Sequence, residues 1–422
     1  MATYYHAHQV ITDKCKGRMT CMRHCPSQAI RVKNGKSVFS EELCVDCGTC
    51  ISVCPEKAIV PITDPFVTKS VFKYRVVVPS PVLYSQFDSG IHPYIIHLAL
   101  KELGFDEVVD VNMSTAALAE ILVKYIKEYK GRLPLISSHC PSIIRLIQVK
   151  YPDLVELIVP IDVPREVTAR EIRQTLPDRL GLKPEEIEII YIAPCPAKIV
   201  SIKQPAEKER SWFDGAVSIK DVYSVLFPHV VAIKENFRED QVPEDFSFNA
   251  GWATLGGMTR EAKMENWLAV SGLDHVMKIF DDIENSRLRN LDFVEAHVCM
   301  LGCIGGPFNI ENPYFARTNS IQQQIRYQKP IHLDNGQIEQ KFGNGYYFLE
   351  KPVLPRPTKY FDSDLVTSIK RIKEVERVYQ KLRQIDCGCC GAPTCMAFAE
   401  DFVRGELELT DCIFLAQEGD IK

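Results

Sequence analysis

Short apolar runs alternate with amphipathic stretches through the middle of the chain. RVVVPS (75–80), EVVDVN (107–112), LPLISS (133–138), EIIYIA (188–193) and FVEAHV (293–298) are rich in β-branched residues and predict strands. Helical patterns lie between them. Over 115–129, Leu118, Ile121, Leu122 and Tyr125 fall on one face, and Thr115 is placed to cap the first turn. Strands alternating with helices predict parallel sheets. Two proline-bearing breaks, PITDPF (61–66) and KPVLPRPT (351–358), predict linkers. They leave segments at about 1–64, 72–350 and 360–422. The last opens with a helix over 362–384, where Leu365, Ile372, Tyr379 and the pair Val375, Leu382 recur at seven-residue spacing. So few repeats fall short of a coiled-coil signal, and the stripe is expected to be buried on its own chain.

A length of 422 residues suits two or three domains. With 25% charged residues and a net charge of −5, nothing points to nucleic acid or to a polybasic membrane surface. No apolar stretch approaches the roughly 20 residues that span a bilayer, so no membrane insertion is expected. The first residues, MATYYHAHQVITDK, lack the basic and apolar regions of a secretory signal. The expected location is cytoplasmic.

Cysteine changes the picture. There are 16, mostly in short-spaced groups. Disulfide frameworks belong to short secreted chains, so clustered thiols in a chain of this size point to metal. Cys44, Cys47, Cys50, Cys54 and Pro55 form a C-x2-C-x2-C-x3-C-P run. Cys15, Cys21, Cys25 and Pro26 repeat it, with Arg18 at the second ligand position. CPSQAI (25–30) and CPEKAI (54–59) extend the repeat. This doubled pattern resembles the bacterial two-cluster ferredoxins, in which the fourth cysteine of each run serves the other cluster. The resemblance implies one cluster on Cys15, Cys21 and Cys54, and a second on Cys44, Cys47, Cys50 and Cys25. Arginine has no lone pair to offer iron. The first cluster is therefore expected as a three-iron (3Fe-4S) cluster, or as a 4Fe-4S cubane with one labile iron. Zinc is the alternative for grouped thiols, and the doubled run argues against it.

Cys140, Cys195, Cys299 and Cys303 stand apart in the middle segment. Three of them follow predicted strands, and parallel sheets bind ligands beyond their strand ends. The plain alternative is that scattered cysteines are small buried hydrophobes. SSHCPS (137–142), APCPAK (193–198) and CMLGCIGG (299–306) resemble, in order, the three signature loops of the di-iron (FeFe) hydrogenases. The resemblance implies a 4Fe-4S cubane on Cys140, Cys195, Cys299 and Cys303. It makes Cys303 the bridge to a two-iron unit carrying carbonyl, cyanide and dithiolate ligands. Lys198 matches a lysine that donates to a cyanide. VVPSPV (77–82) resembles another family loop, with Ser80 as a second donor. GWATLGGMTREA (251–262) resembles a glycine-rich segment that closes the pocket.

The chain departs from that pattern at His139. The fast enzymes carry a proton-relaying cysteine there, and methionines where this chain has Ala193 and Val298. An imidazole relays protons or fills space; both readings stand. The layout resembles the sensory branch of the family, which lacks the relay cysteine. At the C-terminus, Cys387, Cys390, Cys395 and Cys412 follow C-x2-C-x4-C-x16-C, with Cys389 spare. This resembles a small four-cysteine iron–sulfur domain, with structural zinc as the alternative.

The expected fold class is thus α/β and multi-domain. A ferredoxin-like α+β domain (1–64) comes first, then a two-lobed α/β hydrogenase-like domain with parallel sheets (72–350), then a small helical cysteine-rich domain (360–422). The implied activity is interconversion of H2 with protons and electrons, with electrons relayed by the accessory clusters. Ferredoxin or another redox subunit is the implied partner. A homodimer and a hetero-complex both remain open. A hydrogen sensor is one rival reading. A cluster-assembly or electron-transfer protein without the di-iron unit is another.

Overall fold

The computed structural model describes residues 4–66, 71–356 and 364–418. The chain divides into two compact units. One comprises residues up to Ile62, Arg145–Pro152 and the chain from Pro355 onward; the other comprises Thr63–Ile144 and Asp153–Leu354.

In the first unit, β1 (His8–Val10) and β4 (Ile59–Pro61) pair antiparallel, and β2 (Ile30–Lys33) and β3 (Lys36–Phe39) form a hairpin. The hairpin turns at Asn34-Gly35, both at positive φ, as a tight two-residue turn demands. The internal repeat is visible in the backbone. Gln28 and Lys57, at matching positions of CPSQAI and CPEKAI, are both left-handed. Their N–H groups donate to Cys25 O and Cys54 O, each at 3.1 Å.

The C-terminal part of this unit packs the helix Leu365–Lys381 on the helix Cys395–Val403. Val375, Val378 and Leu382 bury against Ala397, Phe398 and Ala399. Asp364 caps the first helix, where its side chain accepts from Thr367 N. Of the expected stripe, Val375 and Leu382 are buried, but Ile372 is exposed. The packed face turns toward Val378 because the neighbouring helix covers only the second half. The Leu365 side chain lies outside the described residues.

The second unit holds two parallel sheets. One runs β6 (Glu107–Val108), β5 (Tyr74–Pro79), β8 (Ile187–Ala193), β9 (Gly215–Ser218); the other runs β10 (Trp267–Ser271), β11 (Phe293–His297), β7 (Leu135–Ile136). Val76, Val77, Val78, Ile189 and Ile192 are wholly buried, as the central strands of a covered parallel sheet should be.

The predicted strands are present, although β6 and β7 are shorter than their apolar runs. β9 and β10 were not expected: GAVS and WLAVS are too short to stand out as apolar runs. The helix predicted over 115–129 spans Asn112–Glu128. Thr115 therefore lies inside it rather than capping it, and its hydroxyl donates to Asn112 O at 2.8 Å.

Candidate active site and cluster cysteines

In the second unit, four strand ends deliver the candidate residues. Ser80 follows the end of β5, and its N–H donates to Ile192 O of β8 at 3.1 Å. β8 runs into Pro194 and Cys195, and Pro196 opens the helix Pro196–Lys203 that carries Lys198 in its first turn. His139 and Cys140 follow β7. Cys299 and Cys303 follow β11, on a loop that passes close to other backbone. A Cβ on Gly302 (φ 93°) would stand 2.7 Å from Leu255 N, and one on Gly306 would stand 2.5 Å from Pro194 O. Only glycine permits these approaches. Phe308 N donates to Pro194 O at 3.1 Å, which ties the 193–198 and 299–308 loops together.

Cys303 is the electrostatic centre. Lys198 Nζ donates to its sulfur at 3.2 Å, and His139 Nε2 lies 3.9 Å from it. Burial would raise the thiol's pKa, but the Lys198 ammonium and hydrogen bonds from His139 and His297 hold it well below the ordinary value. Cys195 behaves oppositely: burial outweighs Lys198 and pushes it up to about 11. Of the two, Cys303 is the one stabilised as a thiolate. The His139 pKa is lowered by burial, with Lys198 and His297 adding to the effect.

Cys303, Ser80, Lys198, His139, Arg165 and Trp252 line one partly open pocket, with about 20 Å³ of space for water-sized centres. His139 Nδ1 and the Nε and Nη1 atoms of Arg165 are buried without hydrogen-bond partners. Buried polar atoms normally have partners, so the Arg165 N–H groups are set for an acceptor, while His139, which gives its Nε2 proton to Cys303, offers Nδ1 as an acceptor. An ammonium, a guanidinium and a hydroxyl around a thiolate suit an anionic, strongly accepting group. Cyanide ligands on a thiolate-bridged metal unit have this character.

Several residues here escaped the sequence reading. His297 Nε2 lies 3.0 Å from Glu295 Oε1, and the imidazole also hydrogen-bonds Cys303. Burial opposes protonation of His297, but these bonds raise its pKa to about 10. Glu295 also accepts from Gly256 N (2.8 Å), Thr259 N and Thr259 Oγ1 (each 3.1 Å), so it anchors the glycine-rich 251–262 segment. Trp252 of that segment stands edge-to-face with His139, ring centroids 5.7 Å apart. The i, i+2 spacing of Glu295 and His297 in FVEAHV put both on one strand face, a signal masked by the surrounding apolar residues. Arg165 gave no signal, since it lies within an ordinary helix, Pro164–Leu180.

In the first unit the thiols are held by backbone. Ala29 N donates to Cys25 Sγ at 3.2 Å, Ala58 N to Cys54 Sγ at 3.3 Å, and Ser37 N to Cys15 Sγ at 3.4 Å. Ser37 Oγ lies 3.3 Å from Cys21 Sγ. Arg18 turns outward, 64% exposed, and pairs with Glu56 through Nη2 at 2.8 Å. Beside Cys44 and Cys47, the buried Asp46 carboxylate meets Arg145 Nη1 at 2.6 Å and His6 Nδ1 at 3.0 Å. His6, Cys44 and Asp46 thus converge, but Asp46 is already satisfied as an ion-pair centre. Burial would raise its pKa, and the histidines and Arg145 hold it well below the carboxylate range.

At the C-terminus, Cys387, Cys390 and Cys412 are electrostatic neighbours. Cys395 N donates to Asp386 Oδ1 at 2.6 Å, and Cys389 is exposed.

Comparison with known proteins agrees with this anatomy. The profile of the iron-only hydrogenase large subunit, C-terminal domain, matches residues 73–263 and 232–307, more than half the chain. A 4Fe-4S dicluster domain matches 8–55, and an Fe-S cluster domain matches 382–414. The chain belongs to the FeFe hydrogenase family, with a ferredoxin-like N-terminal region and a C-terminal iron–sulfur region, and it uses iron–sulfur cofactors.

Iron hydrogenase 1 of Clostridium pasteurianum is 26% identical over 289 residues, 56% of this chain and 50% of that one. The NADP-reducing hydrogenase subunit HndD of Solidesulfovibrio fructosivorans is 23% identical over 189 residues, 40% of this chain and 32% of that one. The cytosolic Fe-S cluster assembly factor nar1 of Aspergillus flavus is 24% identical over 272 residues, 54% and 48% of the two chains. The chain thus spans half or less of the length of these relatives. The [FeFe]-hydrogenase HydA1 from Chlamydomonas reinhardtii shares the fold with a TM-score of 0.51 at 16% identity, over 71% of this chain and 97% of that one. Among the described residues, no helix is long and apolar enough to cross a membrane.

Proposed function

We propose that the chain is a hydrogenase that interconverts H2 with protons and electrons. Cys140, Cys195, Cys299 and Cys303 would hold a 4Fe-4S cubane, with Cys303 bridging to a di-iron unit carrying carbonyl, cyanide and dithiolate ligands. The unit, when bound, supplies the chemistry of hydrogen activation. The chain's own part is to hold and tune it. Lys198, Ser80 and Arg165 offer donors to cyanide. Trp252, anchored through Glu295 by way of its segment, keeps water out. His139, on the cavity wall, is the candidate proton carrier. One observation carries the reading: a buried thiolate ringed by cationic and hydroxyl donors, some without any protein partner. A protein holding only cubanes has no use for them, which weighs against a cluster-assembly role.

We assign the remaining ligands as Cys15, Cys21 and Cys54 for a three-iron or labile 4Fe-4S cluster; Cys44, Cys47, Cys50 and Cys25 for a 4Fe-4S cluster; and Cys387, Cys390, Cys395 and Cys412 for the C-terminal 4Fe-4S cluster. The functional segments are 1–64, 72–350 and 360–422. A cytoplasmic ferredoxin or redox subunit is the electron partner.

A sensory role is the second reading. It is favoured by His139, a neutral, buried imidazole where the fast enzymes carry a thiol. The deciding experiment is infrared absorption of the anaerobically maturated protein. Carbonyl and cyanide bands are expected, and their absence would overturn the di-iron reading. Hydrogen turnover measured on the same sample separates enzyme from sensor.

A further inference from the structure

The four C-terminal cysteines share a unit with the ferredoxin-like segment, and the contacts between them are made next to cluster ligands. Arg23 Nη2, two residues beyond Cys21, donates to the carbonyl of Cys387 at 3.0 Å. Gly388 (φ 75°) sits against Met22: a Cβ there would stand 3.0 Å from Met22 Cε. Val32 N, on the open edge of the hairpin, donates to Gly391 O at 2.8 Å. Gly391 (φ 83°) comes so close that a Cβ would stand 2.0 Å from Val32 O. Only glycine allows both the approach and the backbone conformation. Beside this contact Arg31 forks onto Asp401, with Nη2 to Oδ1 at 3.1 Å and Nε to the other oxygen, both side chains nearly buried.

These contacts lead to one cluster in particular. Val32 is the register partner of Ser37 across the hairpin. Ser37 in turn gives its N–H to Cys15 Sγ and places its hydroxyl against Cys21 Sγ. From Gly391 to two thiolates of the three-cysteine site there is one hydrogen bond, one strand pairing and one hydrogen-bonding serine. A purely mechanical tether could dock anywhere on the ferredoxin surface. This one brings the Cys387–Gly391 ligand loop onto the Cys21–Arg23 ligand helix. A buried ion pair is a poor source of net stability, but it fixes geometry, because any other docking leaves a buried charge unpaired.

We infer that the C-terminal cluster is wired to the Cys15/Cys21/Cys54 cluster through the Cys387–Gly391 loop, and that it is the outer electron port of the chain. The inference rests on the iron–sulfur reading of both regions and is independent of the di-iron unit. A one-electron redox protein reduces the C-terminal cluster by one electron. That cluster then returns to its oxidised level as the Cys15/Cys21/Cys54 cluster gains the electron. No bond forms or breaks, and no proton moves.

The test is paramagnetic resonance of the full chain, reconstituted with iron and sulfide alone and reduced with dithionite. In the unsubstituted protein the signal of the ferredoxin-type clusters is expected to be broadened, and its relaxation quickened, by the C-terminal cluster. Cys395→Ala should lower the iron content and abolish the broadening. Arg31→Glu should abolish it with the iron retained, and adding Asp401→Arg should restore it. Should Arg31→Glu fail to fold, Arg23→Ala removes only the hydrogen bond to the Cys387 carbonyl and is expected to weaken the broadening. If the unsubstituted spectrum equals that of Cys395→Ala plus an unperturbed extra signal, the relay is overturned while the cluster reading stands. If Cys395→Ala retains all its iron, the C-terminal cluster itself is refuted, and the relay with it.

Discussion

The two units hold sulfur in different ways. In the first, ligand spacing is local, and the thiols receive neutral backbone N–H groups from residues a few positions away, as at Cys25–Ala29 and Cys54–Ala58. In the second, Cys140, Cys195 and Cys299 come from three strand ends far apart in sequence, and the tuning groups are charged side chains buried beside Cys303. Backbone donors adjust a cluster's potential gently and come with the loop itself. A buried ammonium beside a thiolate is a larger electrostatic device, and it needs the whole domain to keep it dry. The first arrangement suits electron transfer, the second chemistry at one atom.

The largest effect is expected at the bridge. Cys303→Ala should abolish the carbonyl and cyanide bands and all hydrogen turnover. The ferredoxin-type signals should persist, because their ligands lie in the other unit. Loss of both sets together would break the contrast between the units.

Next comes Lys198→Met, which leaves the Cys303 thiolate without its ammonium. Removing one partner of a buried charge pair costs about 3–5 kcal/mol. A clear drop in melting temperature is expected, along with loss or shift of the cyanide bands.

Arg18→Cys probes the local arrangement. It should convert a three-iron signal in the oxidised protein to a four-iron cluster, with little effect on stability, since Arg18 is exposed. If the unsubstituted protein never shows a three-iron signal at any potential, the ligand assignment of that cluster is wrong.

His139→Ala should lower turnover several-fold if the imidazole carries protons, and His139→Cys should raise it if the missing thiol is the only defect. Unchanged turnover in both, with the infrared bands intact, would assign His139 to packing against Trp252.

The smallest effect is expected where a similar pairing is half exposed. Burial would raise the Glu171 carboxyl, but hydrogen bonds from Lys341 Nζ (2.8 Å) and Tyr346 Oη (2.8 Å) hold it below the ordinary value. A depressed carboxylate contributes stability that is present above its unfolded value and is lost as pH falls through the folded one. Glu171→Gln should therefore cost less than about 1 kcal/mol near neutrality, and the difference should vanish in acid. Denaturant titration at two pH values checks this.

Much of the molecule was legible because its signals were local. The C-x2-C-x2-C runs and the apolar runs of β5, β8 and β11 need only neighbouring residues to be read. The Arg18 departure was equally plain, although its outward pairing with Glu56 was not. His297, Glu295 and Arg165 went unread because each sits in an ordinary strand or helix. Only the meeting of those elements turns them toward Cys303. Thr115 misled because a good capping residue is a propensity, and the longer helix that starts at Asn112 overrode it.

The sequence by itself determined which residues can bind iron and in what groups, since ligand identity and loop spacing are covalent facts. It also determined the alternation of strand and helix that makes a parallel sheet. The tertiary structure decided that Cys303 rather than Cys195 is held low as a thiolate, which donors are left free for an acceptor, and which ligand helix the C-terminal loop touches. These depend on burial and on distances between segments far apart in the chain. Electrostatic strength is set by those quantities, which no local pattern of residues contains.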